Sequence, residues 1–368
     1  MKKALFVATI DSHIKAFHLP YLRLLKNMGY EVHVATNGDE MFPNCDVKHN
    51  ICIERSPFSL KNLNAIKQLK KIINNEKFDI VHCHTPMGGV TARLAAKHAR
   101  KKYDTRVIYT AHGFHFYKGA PKLNWILFYP IEKWLSKYTD TLITINKEDY
   151  ELANNKFNKR CKNIIYVPGV GIDTKKFSQG ITEKEKKSLK KSFGLEQEDL
   201  ILTCVARLDK NKNQEFLINA MEKLVETNSH FHLLLVGPDE LNGYYQKIVK
   251  EKNLNRNISF LGRREDIPEI LSISDIVVSA SHREGLPVNI IEAFAAGKPV
   301  VALNCRGMKD LITSNSLGYI IDDANYIDFC NSIKKIYDDG YELGKIKERA
   351  ESFSIKNIIK LFEKIYYK

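Results

Sequence analysis

The 368 residues contain no D-x-D, no G-x-G-x-x-G after the first apolar run and no C-x-x-C. The first absence argues against a divalent metal carried by paired aspartates. The second argues against a dinucleotide dehydrogenase, whose pyrophosphate loop needs those glycines. The third leaves seven cysteines, an odd number scattered from Cys45 to Cys330, that form neither a disulfide framework nor a zinc knuckle. A reduced compartment fits that usage. Apolar runs are short as well, and none approaches the roughly 18 residues that span a bilayer. The opening MKKALFVATID has too few apolar residues before Asp11 for a secretion signal and reads as a first strand, so export is not expected.

Acidic residues are scarce in one half only. Up to Val170 there are 27 Lys and Arg against 14 Asp and Glu, and beyond it 30 against 29, within a net charge of +14. A basic half can attract nucleic acid, an anionic membrane surface or a polyanionic substrate, or can reflect a lysine-rich background. No recognisable nucleic-acid-binding module accompanies the charge, so no nucleic-acid partner is expected.

What is present is an alternation of short apolar strands and helical segments. Lys3–Thr9, Glu31–Thr36, Asp79–His84, Arg106–Thr110 and Thr141–Ile145 read as strands of a parallel sheet, with a helix expected over Phe17–Met28. Ligands of such sheets sit beyond the carboxyl ends of the strands, which brings His13, His84, His112 and His115 to the mouth of a first domain. His82 and His84 form an H-x-H pair, but without a carboxylate or second thiol at ligand spacing no metal or other cofactor is expected. The segment Trp125–Leu135 reads as a core helix kinked at Pro130, or as an aromatic interfacial patch flanked by lysines; the core reading is preferred. The glycines near 171 place a domain boundary there, giving residues 1–170 and 171–368, with a closing helix of about 350–368 packing back on the first domain.

The second domain opens with the strand Leu200–Ala206, followed by RLDKNKN. Arg207 and Lys212, five apart at a strand end that feeds a helix, suit a diphosphate, the one as a fork and the other as a point charge. The stretch from Ser281 to Ala302, SHREGLPVNIIEAFAAGKPVVA, reads as a turn, a helix stopped by Gly297, and a strand. Pro287 suits the first helical position, and the amides of Gly285, Leu286 and Val288 offer a phosphate seat at the helix start. Glu292 can accept from a ribose diol and Glu284 can face hydroxyls of the group beyond the phosphate. The same pair also fits two solvated carboxylates on an ordinary α/β turn.

Taken together, E-G-L-P…I-E-A-F with R-L-x-x-x-K, and the TAHGFHFYKG stretch of the first half, resemble the retaining glycosyltransferases of family 4. The resemblance covers most of the second domain and, more loosely, the first. It implies the GT-B fold, two Rossmann-like α/β domains facing a cleft, and most resembles bacterial enzymes that build capsule or exopolysaccharide. It implies retaining transfer of a hexose or N-acetylhexosamine from a nucleotide sugar, expected to be UDP-linked, to a lipid-linked or oligosaccharide acceptor. The basic first half adds the expectation of a polyprenyl-diphosphate-linked glycan at an anionic membrane surface, for a cytoplasmic protein peripheral to the inner membrane face. By the same resemblance His112 reaches the donor sugar, Arg207 and Lys212 clamp the diphosphate, and the base lies near Arg263. Two departures are visible: no glycine-rich loop follows the first strand, and Asp310 stands where a glutamate is usual. A nucleotide-sugar 2-epimerase of the same fold, or a basic nucleic-acid-binding protein, are the alternatives.

Overall fold

The structure is a computed structural model and describes residues 1–367. The chain forms two compact units, Met1–Gly171 with the closing segment from Ile358, and Ile172–Asn357. The division falls after Gly171, and the preceding strand-free stretch carries two left-handed glycines, Gly169 and Gly171.

In the first unit seven strands run parallel: β1 (Lys2–Ile10), β2 (Tyr30–Asn37), β3 (Val47–Asn50), β4 (Ile80–His84), β5 (Arg106–Ala111), β6 (Thr141–Thr144) and β7 (Asn163–Tyr166). Their order is β3-β2-β1-β4-β5-β6-β7. Ala4 to Thr9 are all buried, because helices cover both faces and every side chain of the strand needs an apolar neighbour. The chain builds outward from β1 to β3 and then returns to the other side of β1 to lay down β4. That reversal opens a crevice at the carboxyl ends of β1 and β4.

The crevice is pinned by Thr85, which follows β4 at φ 63°, a conformation that costs a non-glycine residue of order 1–3 kcal/mol. Its hydroxyl lies 2.7 Å from that of Thr9 and accepts from the Thr9 amide at 3.2 Å, so the strain is held by bonds between β1 and β4. The expected helix over Phe17–Met28 is Leu19–Asn27, preceded by a first helix, Asp11–Phe17, with His18 at the break between them. Pro20, in the first turn of the second helix, lacks the amide and the space a continuous helix requires.

Two further expectations change here. The segment Trp125–Leu135 lies in a helix, Lys122–Leu135, but only one side of it is core. Trp125, Phe128 and Tyr129 pack inward, while Leu123, Ile126, Leu127, Ile131 and Trp134 are exposed. The preferred all-core reading is therefore corrected: Arg93, buried and paired with Glu132 at 2.8 and 3.0 Å, fixes the helix by one edge and turns its other apolar side outward. The closing helix, Ile355–Tyr367, joins the first unit from Ile358 rather than from about 350. There Phe362 packs on Tyr21, the Tyr366 hydroxyl lies 2.9 Å from His82 Nδ1, and Arg106 donates to the Ile365 and Tyr366 carbonyls.

In the second unit six parallel strands, β8 (Leu200–Val205), β9 (Phe231–Val236), β10 (Ile258–Gly262), β11 (Ile276–Ser279), β12 (Val300–Leu303) and β13 (Gly318–Ile321), take the order β10-β9-β8-β11-β12-β13. The same kind of reversal falls between β8 and β11. No helix among the described residues is long and apolar enough to cross a membrane, and all seven cysteines are free thiols.

Candidate active site

At the β8/β11 reversal the two strand-end loops are stitched together. Asn211, after β8, donates to the Arg283 carbonyl at 3.1 Å, and its own carbonyl accepts from the His282 amide at 2.8 Å. Between the same loops Lys212 Nζ lies 2.5 Å from Glu284 Oε1, with both side chains mostly buried. The Lys212 amide donates to Asp209 Oδ1, which fixes the loop that carries the cation. Burial reduces the solvent screening that makes exposed pairs weak, so this pair holds its geometry.

Two of the candidate side chains are engaged by partners within the unit. Glu284, expected to turn toward hydroxyls beyond a phosphate, is taken by Lys212. Arg207, expected to converge with Lys212 on one anion, instead pairs with Glu240 at 2.8 Å and Asp209 at 3.4 Å, and its side chain is 57% exposed. A fork-shaped guanidinium beside two carboxylates is drawn to them in the absence of a competing anion.

The turn from Arg283 to Pro287 precedes the helix Val288–Ala295, and Pro287 caps that helix rather than beginning it. Leu286 is buried and anchors the turn. Behind it stands Gly307: a Cβ there would lie 2.6 Å from the Gly285 carbonyl oxygen and 2.9 Å from Pro287, so only glycine lets the two segments approach. Gly297 ends the helix at φ 73°, as its pattern required. Glu292 sits on the fifth residue of the helix, and burial pushes its carboxyl up to about 7, with Lys176 opposing weakly. It is therefore a carboxyl poised between donor and acceptor near neutral pH. Arg263 is exposed at the end of β10, after the left-handed Gly262.

At the β1/β4 reversal of the first unit the side chains are of another kind. His13 and His18 follow β1, His84 ends β4 and His112 follows β5. His13 Nε2 lies 3.1 Å from His18 Nε2, and His112 Nε2 lies 3.4 Å from His84 Nδ1. The His18 and His84 ring centroids are 3.8 Å apart with the planes tilted by 32°, and His84 stacks on Phe6. Burial lowers the basicity of all four, His13 to about 4, and neighbouring rings add to the effect at His18, His84 and His112.

His84 was expected to line the mouth. It is 1% exposed and lies beneath the other rings, so that placement is corrected. His115 stands apart from the four, its ring 4.8 Å from that of Phe128. It borders a cavity of about 560 Å³ whose walls include Phe58, Met87, Phe128 and Ile131, with Arg55 and His13 at its polar edge.

Comparison with known proteins decides what these sites belong to. The description "Glycosyl transferase 4-like" matches residues 3–146, and "Glycosyl transferases group 1" matches residues 185–353. The putative glycosyltransferase EpsD of Bacillus subtilis (strain 168) is 44% identical over 336 residues, which cover 91% of this chain and 87% of that protein. The chain belongs to the group 1, family 4-like glycosyltransferases. An Escherichia coli relative, UDP-Gal:alpha-D-GlcNAc-diphosphoundecaprenol alpha-1,3-galactosyltransferase, is 29% identical, with 89% of each chain covered. Among solved structures, Anabaena Alr3699/HepE in complex with UDP superposes with a TM-score of 0.77 at 18% identity, each chain covered in full. The glycosyltransferase thus has the GT-B fold expected of its sequence.

One site residue of this glycosyltransferase escaped the sequence reading. His18 was passed over because it sits inside what looked like a helix. The signal was Pro20, which breaks that helix and leaves an H-x4-H pair at the end of the first strand.

Proposed function

We propose that the enzyme transfers a hexose or N-acetylhexosamine, with retention, from a UDP-sugar to a glycan carried on polyprenyl diphosphate, at the inner face of the cell membrane. The observation that carries the donor half is the Lys212–Glu284 pair, which joins the two loops at the β8/β11 reversal. In a glycosyltransferase the charge to be stabilised grows on the departing diphosphate, and a preformed, water-poor cation is effective there. Lys212 supplies that cation, and Glu284 holds it in position until the diphosphate competes for it. Arg207 is reached by exchange from Glu240, and the turn at Gly285, Leu286 and Pro287 contributes amides. Glu292 accepts from the ribose, while Arg263 lies at the strand end assigned to the base. Neither the reaction nor any role above routes through a metal.

The acceptor is assigned to the first unit. Its cavity is apolar along most of its wall and has Arg55, His13 and His115 at its edge, which suits an isoprenoid chain entering with a diphosphate at its head. The same wall carries Phe58 with Leu127 and Ile131 of helix Lys122–Leu135, on which Ile126 is also exposed. Lys122 and Lys133 lie on that helix and Lys137 just beyond it. An apolar stripe edged by lysines binds an anionic bilayer surface through both buried area and charge. Capsule or exopolysaccharide assembly is the setting this describes, and the EpsD relative and the galactosyltransferase for a diphosphoundecaprenol glycan support it.

The test is a panel of UDP- and GDP-sugars incubated with undecaprenyl-diphosphate-linked N-acetylhexosamine, read by product mass and anomeric configuration. Transfer of one sugar from a UDP donor with retention is expected. Epimerisation of a UDP-sugar without acceptor, or indifference to every donor, overturns the proposal.

A further inference from the structure

The first unit has a second concave region, at the opposite end of its sheet from the histidines. Arg106 begins β5, Thr141 begins β6 and Asn163 begins β7. With the end of helix Pro86–Lys102, these amino ends of the strands enclose a cavity of about 460 Å³. Sugar transfer is served from the carboxyl ends of the strands, so this space is left without a role. Four cations line it, Arg100, Lys101, Arg106 and Lys162, against two carboxylates, Asp104 and Asp140.

Asp140 is already saturated. Arg100 donates to both its oxygens at 2.8 Å, the Val107 amide donates to Oδ2 at 3.0 Å, and Lys162 Nζ lies 3.3 Å from Oδ1. Arg106 donates to the Ile365 and Tyr366 carbonyls at 2.6 and 3.1 Å, which leaves its other N–H groups free. Neither Arg106 nor Lys101 is paired with a carboxylate among the described residues. Cations are common in the last turn of a helix, where they offset its carbonyl end, and that accounts for Arg100 and Lys101. It does not account for Thr105. This residue forms part of the cavity wall and is 1% exposed, and its hydroxyl is buried without a partner among the described residues. A buried hydroxyl is rarely left so. An anion would satisfy the hydroxyl and the uncommitted cations together, since phosphate oxygens accept from hydroxyl, guanidinium and ammonium groups alike.

We propose that this cavity binds a phosphate group, held by Lys101, Arg106 and Lys162, with the Thr105 hydroxyl donating to one of its oxygens. Lys162 is exposed and its contact with Asp140 is long, so it is released to the ligand at little cost. The volume leaves room for a diphosphate, or for the group that a single phosphate is attached to. Arg100 also donates to the Lys137 carbonyl at 3.0 Å, just beyond helix Lys122–Leu135. The cavity therefore stands at the foot of the helix whose apolar side is turned outward. Two sources present the required chemistry: a soluble phosphorylated metabolite, or the headgroup of an anionic lipid lying under that helix. The lipid source rests on the membrane contact proposed above, and the soluble source does not.

Full-length protein labelled at the isoleucine δ1 methyls is titrated with pyrophosphate and followed by NMR. Ile165 and Ile365 of the cavity wall are the reporters, assigned through I165V and I365V, and both are expected to shift saturably. In K101Q/K162Q the affinity should fall roughly tenfold, because two charged donors are lost. T105V keeps the shape and should weaken binding about threefold. It should not lower the melting temperature of the unliganded protein, since the hydroxyl it removes has no partner to lose. K67Q/K71Q removes the same charge from helix Lys61–Glu76 and should bind as the parent does. Flotation with vesicles of phosphatidic acid in phosphatidylcholine separates the two sources. Flotation lost in K101Q/K162Q and kept in K67Q/K71Q assigns the phosphate to a lipid headgroup. Equal flotation of the two variants, with the methyl shifts present, assigns it to a soluble ligand. Absence of the shifts together with equal flotation, or shifts whose affinity is unchanged in K101Q/K162Q or in T105V, would overturn the proposal.

Discussion

At the β8/β11 reversal a lysine and a glutamate join the loops, whereas at the β1/β4 reversal four imidazoles meet above a phenylalanine. The two sheets have nearly the same strand order, so the backbone does not explain the difference. What differs is how the functional groups are supplied. The second unit draws its pair from two continuous motifs, RLDKNK and EGLP, each spent within one loop. The first unit draws its four histidines from three separate strand ends, two of them from the segment after β1. One crevice is therefore electrostatic and suited to a phosphate. The other is nitrogen-rich beside an apolar cavity, and among that cavity's lining are Arg55 and Glu132, the latter in the buried pair with Arg93.

The largest effect expected is on that buried pair. Arg93 donates to Glu132 at 2.8 and 3.0 Å, donates to the Gly89 carbonyl at 2.8 Å, and lies 4.0 Å from the centre of the Tyr109 ring. Arg93→Ala leaves a carboxylate unpaired beside the apolar cavity and should cost about 3–5 kcal/mol of stability, measured by urea denaturation. A loss below about 1 kcal/mol would mean that water already reaches Glu132 and that the cavity wall is softer than its geometry implies.

Next comes the charged crevice. Lys212→Ala should lower turnover by roughly 100- to 1,000-fold, about 3–4 kcal/mol of transition-state stabilisation, with acceptor affinity unchanged. Turnover within a few-fold of the parent would remove Lys212 from the reaction and leave it as a partner of Glu284 only.

These contrasts also explain what could be read from the sequence. The alternation of apolar strands and helices is a local property, so the two sheets, their boundary after Gly171 and the Gly297 helix stop were all legible. RLDKNK and EGLP could be picked out as separate motifs because each lies in one loop, but the Lys212–Glu284 pair that joins them was not foreseen. Which carboxylate would face which cation was not, since Glu240 reaches Arg207 from the loop after β9, 33 residues away. The histidine cluster was hidden for a similar reason: His13 and His112 are 99 positions apart and meet only once the sheet is formed. The outward apolar side of helix Lys122–Leu135 was misjudged because periodicity identifies an apolar face but not what covers it.

Glu292 offers a pH test of the second unit. Its carboxyl is raised from 4.5 to about 7 by burial, so the folded protein binds a proton more tightly than the unfolded chain. Stability from this group is full below the unfolded value and is lost as pH rises toward 7, after which the buried charge is carried at a cost of at most about 3 kcal/mol. Glu292→Gln should therefore raise the melting temperature at pH 8 and leave it nearly unchanged at pH 4.5. The same change should weaken UDP binding by calorimetry, since an amide has half the acceptor capacity of a carboxylate. A variant whose stability gain does not depend on pH would show that Glu292 is not the buried acid.

The smallest effect is the one that compares the reversals most directly, because one methyl group is added behind each. In Gly307→Ala the new Cβ would meet the Gly285 oxygen at 2.6 Å and push on the turn that presents Glu284. In Gly88→Ala it would meet Thr85 Oγ1 at 2.8 Å and Ala8 Cα at 3.1 Å, against the crevice of the histidines. Overpacking of this size costs about 1–3 kcal/mol in either place, so the melting temperatures should fall by similar amounts. Their ligands should part company: Gly307→Ala weakens UDP binding several-fold, and Gly88→Ala leaves it intact while weakening binding of the lipid-linked acceptor. Backbone and proline atoms against Gly307 cannot swing aside as the tip of a flexible side chain could. Equal loss of UDP affinity in both variants would mean that the two crevices do not divide donor from acceptor, and the contrast between them would then be one of composition alone.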